Sequence, residues 1–160
     1  PRLPKDNPLT PERVELGRRL FHDTRLSRDQ TLSCSSCHQP TSALTDPRRF
    51  SIGVDGRTGD RNSMPLFNLA WKDAFFWDGR AASLRQQALM PVVDHREMDE
   101  TVENVVMKLN RDESIKEALG KAFGSTEVTA ERLGLAMEAF LLTLVSQDSR
   151  FDRAQRGEVM

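Results

Sequence analysis

The run Cys34-Ser35-Ser36-Cys37-His38 constrains this chain more than any other stretch, because it holds both of its cysteines and one of its three histidines. A disulfide between positions three apart closes so short a loop that it removes little chain entropy. A four-cysteine zinc site is excluded by count. A Cys-Cys-His zinc site would need a fourth ligand such as His22 or His95, and no metal-type spacing points to either. A redox Cys-x-x-Cys follows a strand in a thioredoxin-like pattern, for which Thr31-Leu32-Ser33 is a thin candidate. Cys-x-x-Cys-His is also the attachment signature of c-type haem. Positions i and i+3 face the same way on a helical turn, so both sulfurs can reach the porphyrin vinyl groups. His38, at i+4, then lies under the iron as axial ligand. Haem c is the favoured reading; zinc and dithiol redox chemistry are the alternatives.

The rest of the composition suits a single globular domain with one core: 160 residues, 38% hydrophobic and 29% charged. Basic and acidic residues nearly cancel, 23 against 24, which gives no electrostatic reason for a nucleic acid or an anionic membrane as partner. No apolar run approaches the roughly 20 residues of a membrane span. Haem c is attached outside the bacterial cytoplasm, so a periplasmic or other extracytoplasmic location is expected. The chain has no basic start followed by an apolar stretch and no initiator Met, which fits a mature form without its signal peptide.

Periodicity predicts an all-α domain wrapped round one haem. Residues 1–9 read as an extended segment. Thr10-Pro11-Glu12 starts a helix with Val14, Leu16, Leu20 and Phe21 on its apolar side. A short helix carrying the haem motif begins near Ser33. Gln39 to Leu69 reads as a long loop without sustained period, of the kind that wraps a cofactor. Helical pattern returns over Ala81–Leu89, ending before Pro91. Val102, Val105, Val106 and Leu109 mark another helix, and Ile115, Leu119, Ala122 and Phe123 a further one stopped by Gly124. The last helix is capped by Thr129 and faces Leu133, Ala136, Met137, Phe140, Leu141 and Leu144 inward. Residues 150–160 read as a linker or tail. No segment makes a convincing strand, and there is no internal repeat.

Several separated motifs, in order, resemble a known family. They are Leu16-Gly17-Arg18-Arg19-Leu20-Phe21, Asp23-Thr24-Arg25-Leu26-Ser27, Leu32 to His38, Arg61-Asn62-Ser63 and Asn68, Phe76 to Ala81, Gln87, and Pro91 followed by Glu97-Met98. Together they resemble the N-terminal, peroxide-reacting half of the bacterial di-haem cytochrome c peroxidases, whose relatives include the MauG-type enzymes that oxidise protein tryptophans. The resemblance covers about Pro8 to Arg153. It implies a cytochrome c-like helical domain, covalent haem c on Cys34 and Cys37, and His38 as the proximal iron ligand. It also implies Glu97 as the acid that handles peroxide protons, Gln87 as its neighbour, Trp77 between the two haems, and Asn62 in a calcium site at a domain junction.

Two departures stand out. The activation-dependent peroxidases carry a distal histidine in a Gly-His-Gly loop, where this chain reads Gly53-Val54-Asp55-Gly56. An open sixth iron position without prior reduction is therefore expected. The family's second half, with its own Cys-x-x-Cys-His, has no counterpart in these 160 residues, so a second haem-bearing domain or subunit is an expected partner.

Peroxide cleavage needs a base near working pH, and burial would raise the Glu97 carboxyl in that direction. Gln87 could position the peroxide. With no tyrosine in the chain, Trp71 and Trp77 are the readily oxidised side chains, and Trp77 is the better placed by resemblance. The implied activity is reduction of hydrogen peroxide to water, with electrons from a small cytochrome c or cupredoxin. MauG-like oxidation of a protein substrate is one alternative. A mono-haem electron carrier with a six-coordinate iron is the other, and Met64, Met90 and Met98 are its candidate sixth ligands. Met98 reads as a packing residue, and His22 and His95 as exposed.

Overall fold

The Thr10 hydroxyl accepts a hydrogen bond from the Arg13 N–H at 3.3 Å, Pro11 needs no partner for its nitrogen, and Glu12 faces the helix dipole. In the computed structural model, which describes residues 1–158, these residues open α1, Pro11–Phe21. Next come α2 (Cys34–Cys37), α3 (Leu84–Val93), α4 (Val102–Leu109), α5 (Glu113–Phe123), α6 (Ala130–Leu142) and α7 (Arg150–Gln155). Side chains of Ser83, Thr101, Asp112 and Thr129 cap α3 to α6, and Gly124, at φ +71°, ends α5 in the left-handed region. Among the described residues there is no β-strand. Three isolated bridges, Gln39–Thr45, Ile52–Thr58 and Phe75–Ala81, pin the intervening loops.

Helix α6 is the centre of the packing. α1 and α3 lie against it, and α5 packs on α1. The α1–α6 crossing brings backbone against backbone: a Cβ on Gly17 would lie 2.0 Å from the Ala136 carbonyl oxygen. Leu16, Leu20, Leu109, Ile115, Leu119 and Met137 are fully buried in the resulting core. Each such side chain contributes roughly 1.5–3 kcal/mol relative to exposure. The inward face expected of α6 is present, with Leu133, Ala136, Met137 and Leu141 buried and Phe140 and Leu144 packed against them.

One sequence expectation is revised, and three segments gain detail. The helix expected over Ala81–Leu89 starts instead at Leu84 and continues through Pro91 to Val93. Proline removes one N–H from the ladder, and the chain that follows folds back to occupy the last carbonyls. Met98 N–H donates to Pro91 O at 3.2 Å and Glu100 N–H to Val92 O at 2.9 Å. The loop from Gln39 to Leu69 is ordered by single 3₁₀ turns at Pro40–Ser42 and Val54–Gly56, with a third beginning at Leu69. The N-terminal segment is anchored through Asn7. Asn7 is wholly buried, and its amide donates to Leu135 O and to Glu138 Oε2, both at 2.9 Å. Glu138 is in turn paired with Arg85 at 2.7 Å. Finally, the expected tail begins with a helix, α7, closed by reciprocal bonds between Ser149 and Asp152. The last two residues of that tail, 159–160, lie outside the described residues.

Candidate haem site and distal pocket

Ser33 ends an extended stretch, and its N–H is taken by Ser36 Oγ at 3.0 Å, which closes the single turn of α2. The turn sets Cys34 and Cys37 into the wall of a cavity of about 570 Å³, with His38 at its C-cap. That volume falls in the ~300–1,000 Å³ range of cofactor pockets. Both cysteines are unpaired. Desolvation pushes the Cys34 thiol up to about 12 and raises Cys37 as well, with Ser51 opposing the latter. Redox dithiols and zinc thiolates depend on lowered thiol pKa values. Two protonated thiols in a cavity wall suit thioether anchors better.

His38 Nδ1 lies 2.9 Å from the Leu44 carbonyl oxygen. A carbonyl can only accept, so Nδ1 carries the proton and the lone pair of the neutral ring is on Nε2. Burial pushes the His38 pKa down and keeps the ring neutral. A ring N–H given to a backbone carbonyl is the usual support of a metal-ligating histidine. The loop supplying that carbonyl is itself braced by Asp46, whose carboxylate holds the Arg48 guanidinium at 2.8 and 2.9 Å.

Glu97 and Gln87 face the same cavity. Gln87 projects from α3 and is buried; Glu97 comes from the turn after it and is half-buried. Among the described residues neither side chain has a hydrogen-bond partner in the protein, so both are free for a ligand. Burial raises the Glu97 pKa and Asp94 adds to this, while Arg80 and Arg96 oppose it. At the mouth stand Arg61, Arg80 and Arg96. Arg61 and Arg80 share Asp78 at 2.9 and 3.0 Å. Arg96 pairs with Asp60 at 2.6 Å, and its buried Nε makes no hydrogen bond, the Asp94 carboxylate standing 3.6 Å away. The residues present thus fit a haem c: two thiols, a neutral imidazole, polar groups without partners, and cations for its propionates.

Trp77 also lines the cavity, but at the rim and 59% exposed, so it is no core residue. Its indole N–H donates to Asn62 O at 2.8 Å. The Asn62 side chain spans the loop, donating to Asp46 O at 3.1 Å and Arg48 O at 2.7 Å and accepting from Thr45 Oγ1 at 3.0 Å. Among the described residues no group of three or more His, Cys, Asp or Glu side chains could hold a metal ion. A calcium ion at Asn62 would therefore draw on carbonyl, hydroxyl or amide oxygens. His22 and His95 are exposed and stand outside the cavity. Met64, Met90 and Met98 line it, and Met98 is buried in the core. Sequence reasoning gave the three arginines at the mouth no role in the site: Arg61 and Arg80 entered only as members of the motifs that carry the resemblance, and nothing local marks Arg96.

A family model described as Di-haem cytochrome c peroxidase matches residues 11–160. The chain belongs to the di-haem cytochrome c peroxidase family. Among its relatives in this family, the methylamine utilization protein MauG of Methylorubrum extorquens is 42% identical over 156 residues, covering 97% of this chain and 44% of the relative. Cytochrome c551 peroxidase of Pseudomonas aeruginosa is 37% identical over 156 residues, covering 96% and 45%. The crystal structure of a MauG-like protein associated with microbial copper homeostasis superposes with a TM-score of 0.91 at 35% identity, over all of this chain and 48% of that one. The helical, cytochrome c-like fold is thereby shared with di-haem peroxidases. The chain spans about half the length of the curated relatives it matches. Among the described residues no helix is long and apolar enough to cross a membrane.

Proposed function

We propose that this chain is a peroxidatic unit: one haem c held by Cys34 and Cys37, ligated by His38 Nε2, reducing hydrogen peroxide to water. The observation that carries this reading is Glu97, a carboxyl with no partner in the protein and a raised pKa, in the cavity that also holds the attachment triad. When bound, the haem supplies the iron at which the O–O bond breaks and through which two electrons pass. This chain's residues do the rest. His38 holds the iron on one side, its Nδ1 proton anchored on Leu44 O. The Glu97 carboxylate would take a proton from one peroxide oxygen and return it to the other as that oxygen leaves as water. Two protons and two electrons in all convert the peroxide to two waters. Gln87 would orient the peroxide by hydrogen bonding, and Arg61, Arg80 and Arg96 would pair with the haem carboxylates.

Residue 54 is valine where a plugging histidine would stand, and neither remaining histidine lines the cavity, which supports a sixth position not closed by histidine. Met64, Met90 and Met98 are then the side chains that would have to stay off the iron. Electrons come from a small cytochrome c or cupredoxin, directly or through a second haem-bearing domain or subunit. Because haem c is attached outside the cytoplasm, the site of action is the periplasm or another extracytoplasmic space. A second reading, oxidation of residues on a protein substrate as in MauG-type enzymes, is favoured by the exposure of Trp77 at the rim. It uses the same peroxide chemistry with a different electron source.

The ferric absorption and EPR spectra of the purified holoprotein test this. A largely high-spin spectrum that changes on adding peroxide is expected. Glu97→Gln should leave haem content and the ferric spectrum intact and slow the peroxide reaction by at least about 100-fold, the low end of general acid–base contributions. A wholly low-spin, peroxide-inert protein would instead be an electron carrier with a methionine in the sixth position.

A further inference from the structure

The N–H groups of the segment that carries Glu97 bond locally, those of Glu97 and Asp99 both to Asp94 O at 3.0 Å and that of Met98 to Pro91 O at 3.2 Å. Its carbonyls from residue 95 onward take no partner within the turn. Donors from two distant parts of the chain take its carbonyls instead. Arg57 donates a guanidinium N–H to His95 O at 2.9 Å, Val54 N–H donates to Glu97 O at 2.8 Å, and Arg28 N–H donates to Met98 O at 2.9 Å. The remaining carbonyl, that of Arg96, lies against Gly53, where a Cβ would stand 2.1 Å from its oxygen and 2.6 Å from that of Glu97. Gly53 is thus required by close approach, its φ of −89° being open to any residue.

Side chains tie the same pieces together. The Arg28 guanidinium pairs with Asp55 and, at 3.0 Å, with Asp99. The Arg57 guanidinium pairs with Asp55 at 3.3 Å and Asp99 at 3.1 Å. Two arginines and two aspartates therefore form a closed ring joining the 53–57 turn, residue 28 and the end of the Glu97 turn. Each pair is partly exposed and worth little alone. The geometry is what matters: the ring holds in place the three bonds to the carbonyls of residues 95, 97 and 98, which dock the outer side of the Glu97 turn.

We propose that the 53–57 turn, with Arg28, Arg57, Asp55 and Asp99, is a clamp that sets the position of the Glu97 carboxyl over the cavity, with Arg57 its principal positioning residue. This rests on the reading of Glu97 as the proton-handling group. None of the four charged residues touches the ligand space; they act through the backbone of residues 95–98.

A double-mutant cycle on the holoprotein tests it, with hydrogen exchange of the 94–99 peptide as a second readout. Arg57→Ala should accelerate exchange in that peptide and slow the peroxide reaction by between about 10- and 100-fold, the range expected when a reacting group is misplaced by up to an ångström. In the Glu97→Gln background the same change should have no further effect on rate, because a residue acting only through Glu97 has nothing left to position. Arg57→Lys, which can still donate to His95 O, should recover part of the rate. Gly53→Ala should reproduce the Arg57→Ala phenotype; since it risks misfolding, the arginine variants carry the decision. Unchanged exchange in Arg57→Ala, or a rate loss that persists undiminished beside Glu97→Gln, would overturn the clamp. If Glu97→Gln alone leaves the rate unchanged, the proton-handling reading fails, and exchange in Arg57→Ala still decides whether the clamp exists.

Discussion

The Asp46 carboxylate is fully covered by the protein yet stays ionised. Arg48 closes on it with its guanidinium and with its backbone N–H at 2.9 Å, and these bonds hold the Asp46 pKa down at about 2. The sign of the linkage follows. The unfolded chain, with an aspartate near its ordinary value, binds the proton more tightly than the folded one. Asp46 therefore contributes stability that is fully present above roughly pH 4 and drains away as pH falls towards 2. Asp46→Asn should cost roughly 1–2 kcal/mol at neutral pH, a figure discounted because Arg48 is half-exposed. Thermal unfolding of both proteins from neutral to acidic pH should show the gap closing below roughly pH 4. A gap that stays constant would refute the charge argument. None of this is legible in the sequence, where Asp46-Pro47-Arg48 reads as loop. Cys34, Cys37 and His38 were legible because their chemistry is encoded by spacing within one turn, whereas the brace beneath His38 exists only once the loop has closed on itself.

At the scale of elements, the same substitution should have opposite signs at two glycines. Alanine in a helix interior is favoured over glycine by up to about 1 kcal/mol. In α5, Gly120 has room for it, the nearest atom to an added Cβ being Thr126 Cγ2 at 3.4 Å. Gly120→Ala should stabilise by roughly 0.5–1 kcal/mol. At Gly17 the added carbon meets Ala136 O at 2.0 Å and Phe140 Cβ at 2.7 Å, and α1 must back away from α6. Gly17→Ala should destabilise by about 1–3 kcal/mol or more, as overpacked crossings do. Chemical denaturation of the two variants decides; a stable Gly17→Ala would mean the helices can part without loss. The helices themselves were legible wherever the apolar period was strong and a capping side chain preceded it, a threonine hydroxyl in α1, α4 and α6 and the Asp112 carboxylate in α5. The continuation of α3 past Pro91 was not, because it depends on Met98 and Glu100 returning to occupy carbonyls on the last turn. For the same reason the Glu97 clamp escapes a reading of local pattern: Arg28, Val54 and Arg57 converge on residues 95–98 from two separate stretches.

For the whole molecule, what matters is how electrons would reach the proposed peroxide site, whose reaction withdraws two at a time. The chain contains no tyrosine and two tryptophans. Trp71 is exposed and stands outside the cavity, while Trp77 lines its rim. From Trp77 a connected path runs inward. The indole N–H meets Asn62 O at 2.8 Å, Asn62 Oδ1 accepts from Thr45 Oγ1 at 3.0 Å, and the neighbouring Leu44 carbonyl receives His38 Nδ1 at 2.9 Å. One end of this path is more than half exposed, where a donor or a second haem-bearing partner can reach it, and the other is the proposed iron ligand. The near-balance of 23 basic and 24 acidic residues leaves such an encounter to local contact rather than long-range steering. Trp77→Phe removes the N–H that starts the path and raises the cost of oxidising the ring, but leaves Glu97, Gln87 and His38 in place. Rapid-mixing kinetics should then show an unchanged reaction with peroxide followed by slower return to the resting state when a reduced cytochrome c is supplied. If both phases match the wild type, electrons enter by another route, and the exposure of Trp77 serves some other contact.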